Sequence, residues 1–209
     1  MAATIHEPIT TLEQLRCVIA EPDDDVKRIE IPALDEHCRA FIARSPFVFL
    51  ATSNAAGDCD VSPKGDAPGF VHVLDDRTLL VPDRKGNRRA DSLRNILENP
   101  HAGLLFVIPG ADWTLRVNGR AAIARDESLR RQLELKGNVP DVAIVLDVEE
   151  AYMHCPRCVL RAGLWDTRSW MPKDEQPSWA AVMRDHMKYD EVPLKLFEQA
   201  LDAHNRDLY

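Results

Sequence analysis

Apolar residues recur at helical spacing near the start of the chain and at strand spacing through its middle. Leu12, Leu15, Val18 and Ile19 form one helical stripe. Thr11 with Gln14, or Thr10 with Glu13, supplies a capping box at its start. A second helix is predicted over Pro32 to Arg44, with Leu34, Cys38, Phe41 and Ile42 on one face and Ser45-Pro46 as its stop. The period then changes. Phe47–Thr52 is an apolar run of strand formers, Asn54 to Asp58 is turn chemistry, and Asp60–Ser62 returns as a hairpin partner. A polar turn, Ser62 to Asp66, comes next. Phe70–Leu74 and Thr78–Val81 flank the tight connection Asp75-Asp76-Arg77. A helix from Arg88 to Glu98 stops at Asn99-Pro100. The continuous apolar run Ala102–Ile108 predicts a strand buried on both faces. Thr114–Ala124 is a long strand whose interior Gly119 marks a bulge or a barrel corner. A helix over Glu127 to Lys136 and a last long strand, Asp141 to Tyr152, follow, and the chain from Pro156 on reads as helices and loops.

Six or so antiparallel strands with helices inserted between them predict a mainly β fold with peripheral helices, closed into a small barrel. The expected organisation is an N-terminal helical segment (1–45), a barrel core (46–155) and a C-terminal helical and loop extension (156–209). With 45% hydrophobic residues, the 209-residue chain can bury a real core. The net charge of -8 argues against a nucleic-acid or membrane-surface binder. No apolar run reaches the length of a bilayer span, and MAATIHEPITTLEQ lacks the regions of a secretory signal. Five cysteines, an odd number spread along the chain, do not make a disulfide framework. The expectation is a cytoplasmic protein that binds neither nucleic acid nor membrane.

Against that acidic background, five cationic side chains fall between Arg84 and Arg94. Phosphate recognition needs cationic forks and free N–H groups converging on one point. Lys64, Arg84, Lys85, Arg88 and Arg89 supply the first, the Gly86-Asn87 entrance to the predicted helix supplies the second, and Ser62 adds a hydroxyl. A phosphate carried by a small ligand fits this better than a nucleic acid, and neither GxxxxGK[ST] nor a strand-borne GxGxxG is present. Thr114, Arg116, Asn118 and Arg120 share one strand face, with Thr114 and Arg116 the better ligand candidates. Cys155-Pro156-Arg157-Cys158 has the spacing of a redox dithiol or half a zinc site, but no second ligand pair exists. It reads as two small buried or half-buried residues at a helix start. The histidines pair with nothing at metal spacing, so no metal is expected.

The segments LDEHCRAFIARSPFVFLATS (Leu34–Ser53), VSPKGDAPGFV (Val61–Val71), LDDRTLLVPDRKGNRRADSLRNILENP (Leu74–Pro100), GLLFVIPG (Gly103–Gly110), TLRVNGRA (Thr114–Ala121) and HCPRCVLRAGLWD (His154–Asp166) follow one another in a familiar order. Together they resemble the pyridoxamine 5′-phosphate oxidase-like superfamily of FMN-binding split-barrel flavoproteins. The resemblance implies a homodimer of six-stranded antiparallel split β-barrels with FMN at the subunit interface. It implies that Lys64, Arg84, Arg88 and Arg89, with Lys85, Ser62 and Asn87 beside them, hold the flavin phosphate. The ring would run past the backbone near Val61 and Val81, Thr114 or Arg116 would reach it, and Arg161 and Trp165 of the second subunit would cover it. The implied activity is an FMN-dependent oxidoreductase acting on a small-molecule substrate. A non-enzymatic flavin- or haem-binding sensor and a deazaflavin-dependent reductase are the alternatives on the same barrel, with His72, His101 and His154 the haem-ligand candidates.

Overall fold

The computed structural model describes residues 3–206. Helices α1 (Leu12–Val18), α2 (Asp24–Lys27) and α3 (Glu36–Ile42) precede the sheet. Its strands are β1 (Phe47–Ser53), β2 (Cys59–Gly65), β3 (His72–Val73), β4 (Thr78–Pro82), β5 (His101–Val107), β6 (Thr114–Ala124) and β7 (Ala143–His154). Helix α4 (Asp91–Glu98) lies between β4 and β5, and α5 (Glu127–Gln132) between β6 and β7. After the sheet come α6 (Arg157–Ala162), a short turn of tight helix (Thr167–Ser169), α7 (Trp179–His186) and α8 (Leu194–Asn205). Among the described residues, no helix is long and apolar enough to cross a membrane.

All seven strands pair antiparallel in the order β2-β1-β5-β6-β7-β4-β3. The expected count of six is corrected to seven, because the Phe70–Leu74 segment contributes a two-residue strand that pairs with the free edge of β4. Nor is the hydrogen-bonded barrel closed, since β2 and β3 are its two unpaired edges. The sheet nevertheless coils until its ends approach. Lys64 on β2 meets Asp83 just after β4 at 3.6 Å, and Asp66 meets Arg84 at 2.7 Å. The split is therefore bridged by side chains rather than by a ladder.

The core lies inside this coil. Leu34 and Ile42 from the α3 region pack with Val48, Leu50, Leu79, Leu104, Phe106, Leu115, Val117 and Leu146. Both Leu79 and Leu80 are buried although they point to opposite faces, because Leu133 at the end of α5 covers Leu80 from outside. β2 runs through Gly65, longer than its predicted span, and accepts Pro63 because it is an edge strand. Between β6 and β7 the register shifts at Asn118/Gly119, leaving Glu149 as the extra residue of a bulge. A Cβ on Gly119 would stand 1.9 Å from the Asp147 carbonyl oxygen, so only glycine lets the two strands close here.

One expectation about burial is corrected. In β5 only Ala102, Leu104 and Phe106 are buried, while Gly103, Leu105 and Val107 are half-buried. Among the described residues, the outer face of that strand is only partly covered. The register runs a continuous outer row across five strands, Pro63–Phe49–Leu105–Arg116–Tyr152. Phe49 and Val61 are exposed on that same face.

Candidate phosphate-binding cleft at the barrel split

A cleft of ≈ 710 Å³ occupies the split. It is lined by β2 (Asp60 to Lys64), by the loop and first helical turn from Asp83 to Leu93, and by Asn138 to Asp141. The edge position of β2 leaves one row of its backbone N–H and C=O groups outside the ladder. Helix α4 is clipped over the end of β1 and the flank of β2. Asn95 donates to Thr52 Oγ1 at 3.0 Å, Asn99 to Ser53 Oγ at 3.0 Å, and Ser92 to Asp60 Oδ2 at 2.9 Å.

The helix begins at Asp91, later than predicted, so Gly86-Asn87 is loop and not its entrance. The cause is conformational: Arg88 (φ 61°) and Ala90 (φ 57°) both take the left-handed region, which cannot continue a right-handed helix. Each is a non-glycine outlier costing on the order of 1 kcal/mol, the kind of strain that collects at ligand clamps. Ala90 occupies the N-cap position and has no side chain with which to cap. Among the described residues, the N-cap side chain therefore supplies no acceptor to the first-turn N–H groups of α4, where the helix meets the cleft.

The cationic residues divide by what already holds them. Arg84 is committed to the fold: its Nε donates to Asp66 at 2.7 Å and its Nη1 to the Leu133 carbonyl at 2.8 Å. Lys64 pairs with Asp83, and Arg89 with Asp91 at 2.7 Å, a contact that holds the Arg89 guanidinium even more firmly protonated. Arg88 makes no hydrogen bond or ion pair among the described residues. Asn87 is oriented by accepting the Arg89 N–H at 3.0 Å. Ser62, Lys64, Lys85, Asn87, Arg88 and Arg89 thus line one cleft, together with Arg84 and Val61. Four carboxylates share it, and three are occupied, Asp60 by Ser92, Asp83 by Lys64 and Asp91 by Arg89.

The remaining candidates lie elsewhere. Val81 is buried in the core. Thr114 and Arg116 sit at the far end of β6, where they pair with His154 and Tyr152. Along β7, the partner of Arg116 is eight residues from Ile144, the partner of Val81. At about 3.3 Å per residue that is roughly 26 Å of strand. The Arg116 guanidinium donates to the Tyr152 hydroxyl at 2.8 Å and stacks 5.4 Å from the ring centre. Trp165 donates its indole N–H to the Ala111 carbonyl at 2.8 Å, and Arg161 is exposed on α6. None of these five lines the cleft.

Sequence reasoning missed the third wall, Asn138 to Asp141. It also missed Asp66, whose burial beneath Arg84 is what withdraws that arginine from solution. Nothing in local spacing joins residues so far apart in the chain.

With this geometry in view, the family comparison is decisive. The model of the pyridoxamine 5′-phosphate oxidase family matches residues 34–155, more than half of the chain. The chain belongs to that family. The matched stretch contains α3 and all seven strands, leaves α1 and α2 outside, and contains the cleft entire. No curated protein matches the chain. Among solved structures, the chain is similar to several at low identity. A HupZ variant from Group A Streptococcus is 19% identical, with 58% of this chain and 99% of that one covered and a TM-score of 0.49. An FMN-binding protein from Syntrophomonas wolfei is 15% identical over 56% and 83% of the two chains, TM-score 0.44. The haem storage protein HutZ of Vibrio cholerae is 16% identical over 58% and 93%, TM-score 0.40.

Proposed function

We propose that this family member is an FMN-binding flavoprotein that acts as an oxidoreductase on a small molecule and works as a homodimer. The observation that carries the reading is the cleft at the split, where unpaired Arg88, the Lys64 and Arg89 side chains and an uncapped helix start converge. Its volume falls in the range of roughly 300–1,000 Å³ typical of small-molecule sites. Lys64, Lys85, Arg88 and Arg89 would hold the phosphate with Ser62 and Asn87, while Arg84 anchors the loop from behind. When bound, FMN supplies hydride and electron transfer; the chain supplies placement and electrostatics.

The homodimer reading rests on the partly covered outer face of the sheet, where Phe49 and Val61 are exposed and Leu105 is half-buried. Thr114, Arg116, Arg161 and Trp165 are outside their own chain's cleft, so in this reading a second copy brings them to the cofactor. Arg116 would then place a positive charge beside the ring and favour its anionic reduced state. Flavin is favoured over haem because the cleft is lined by cationic side chains that suit a phosphate, and the His101 ring is already held by Asn99 at 2.9 Å and faces Arg120 at 3.2 Å.

Titration of the chain with FMN and with riboflavin, followed by quenching of flavin fluorescence, tests the phosphate site. Each charge-assisted hydrogen bond contributes about 1.5–3 kcal/mol, so FMN should bind at least ~10-fold more tightly than riboflavin. Lys64→Ala with Arg88→Ala should sharply reduce that preference and leave riboflavin binding unchanged. Equal affinity of the unaltered chain for the two flavins would place the phosphate elsewhere. Sedimentation equilibrium tests the dimer: the cofactor-free chain should be dimeric and Phe49→Glu with Leu105→Glu monomeric, whereas a monomeric parent chain contradicts the reading.

A further inference from the structure

Cys155 and Cys158 take no part in the cleft. Their spacing reads as two small residues packed at a helix start, but the structure exposes both thiols. They straddle a corner, with β7 ending at His154 and α6 beginning at Arg157. Pro156 has φ -78° and ψ -5° and Arg157 opens the helix, so the backbone from 155 to 158 makes one right-handed helical turn. Across such a turn, Cα atoms three residues apart are about 5 Å apart. Disulfides need roughly 4.4–6.8 Å. The backbone is already folded for a bridge.

The other cysteines are not placed for one. Cys38 is buried, and its thiol is pushed up to about 11, first by desolvation and then by its hydrogen bond to Asp35. Cys17 lies on α1 and Cys59 opens β2, each alone in its element. A metal reading of the motif with His154 also fails, because no group of three or more His, Cys, Asp or Glu among the described residues could hold an ion.

We propose that Cys155 and Cys158 are a redox-active dithiol that closes reversibly to an intrachain disulfide by exchange with a glutathione-class disulfide. The thiolate of one cysteine attacks a sulfur of the small disulfide, its S–S bond breaks, and one small thiol leaves. The thiolate of the second cysteine then attacks the protein sulfur of the mixed disulfide and expels the second small thiol. The protein loses two electrons and two protons, and the small disulfide takes up both. Closure ties the end of β7 to the first turn of α6, the helix that carries Arg161 and leads to Trp165. Any effect on the cofactor rests on the proposed flavin site; the disulfide itself does not.

The full chain is equilibrated with mixtures of reduced and oxidised glutathione, quenched with acid, alkylated and digested with trypsin. As oxidised glutathione rises, peptide 158–161 should appear linked to peptide 137–157, both cysteines should leave the alkylated pool together, and dithiothreitol should restore them. In Cys155→Ser, Cys158 should carry glutathione instead. The proposal is overturned if both cysteines remain alkylated across the whole range, if each carries its own glutathione in the parent chain, or if the bridge joins two copies. Because the readout is covalent and needs no flavin, its failure is distinct from failure of the FMN reading.

Discussion

Replacing Arg84 by Met should cost about 3 kcal/mol of folding free energy. The Asp66 side chain is 1% exposed and that of Arg84 18%, so the pair that closes the barrel split is largely dry. Met preserves the packing of the arginine stem but takes the guanidinium away from a buried carboxylate, and breaking a buried pair from one side costs about 3–5 kcal/mol. The Leu133 carbonyl loses its donor as well. Ala67 still donates its N–H to Asp66 Oδ1 at 2.8 Å, which places the expectation at the low end of that range. Urea unfolding followed by tryptophan fluorescence reads the loss directly. With a slope of about 2 kcal/mol per molar urea, the midpoint should fall by about 1.5 M. Arg84→Met with Asp66→Leu removes both charges and should regain at least about 1.5 kcal/mol relative to the sum of the two single changes. A loss under about 1 kcal/mol for Arg84→Met, or strict additivity in the double variant, would refute the view that Arg84 holds the split together.

Other consequences of the fold can be checked alongside. Gly119→Ala should destabilise by about 3 kcal/mol, because its Cβ meets backbone at 1.9 Å, whereas Gly103→Ala meets only the Asn118 amide at 2.8 Å and should cost less; the reverse order in urea unfolding would contradict the bulge. His72 has its pKa lowered below the ordinary histidine value, chiefly by burial and then by the Arg84 charge. The unfolded chain therefore takes up that proton more readily, so the contribution is complete above roughly pH 6.5 and is lost as pH falls below it. His72→Asn should flatten that part of the stability profile between about pH 7 and 5, and an unchanged slope would show that the burial is not felt.

The strands were legible because their apolar runs and turn residues are local signals, and Gly119 announced the bulge because only a backbone clash demands a glycine inside so long a strand. The cluster of basic residues was legible as charge. What charge could not show was commitment: Arg84 and Arg88 look alike in the sequence, yet a buried aspartate eighteen residues away claims the first and leaves the second open. The start of α4 was misplaced because helix propensity sees arginine and alanine as helix formers, while the loop's left-handed residues are imposed by tertiary structure. β5 reads as doubly buried, but the residues on one of its faces are only half-buried among the described residues, and a run of apolar residues does not say how far each face is covered. Cys155 and Cys158 read as packing residues for the same reason, since spacing carries no information on exposure.

The most direct test of the central claim is the visible absorbance spectrum of the purified chain after incubation with FMN and desalting. The account predicts the two bands of oxidised flavin, retained by the parent chain and lost in Lys64→Ala with Arg88→Ala. A colourless parent chain, or bands retained equally by the double variant, would contradict a flavin phosphate held in the cleft at the barrel split.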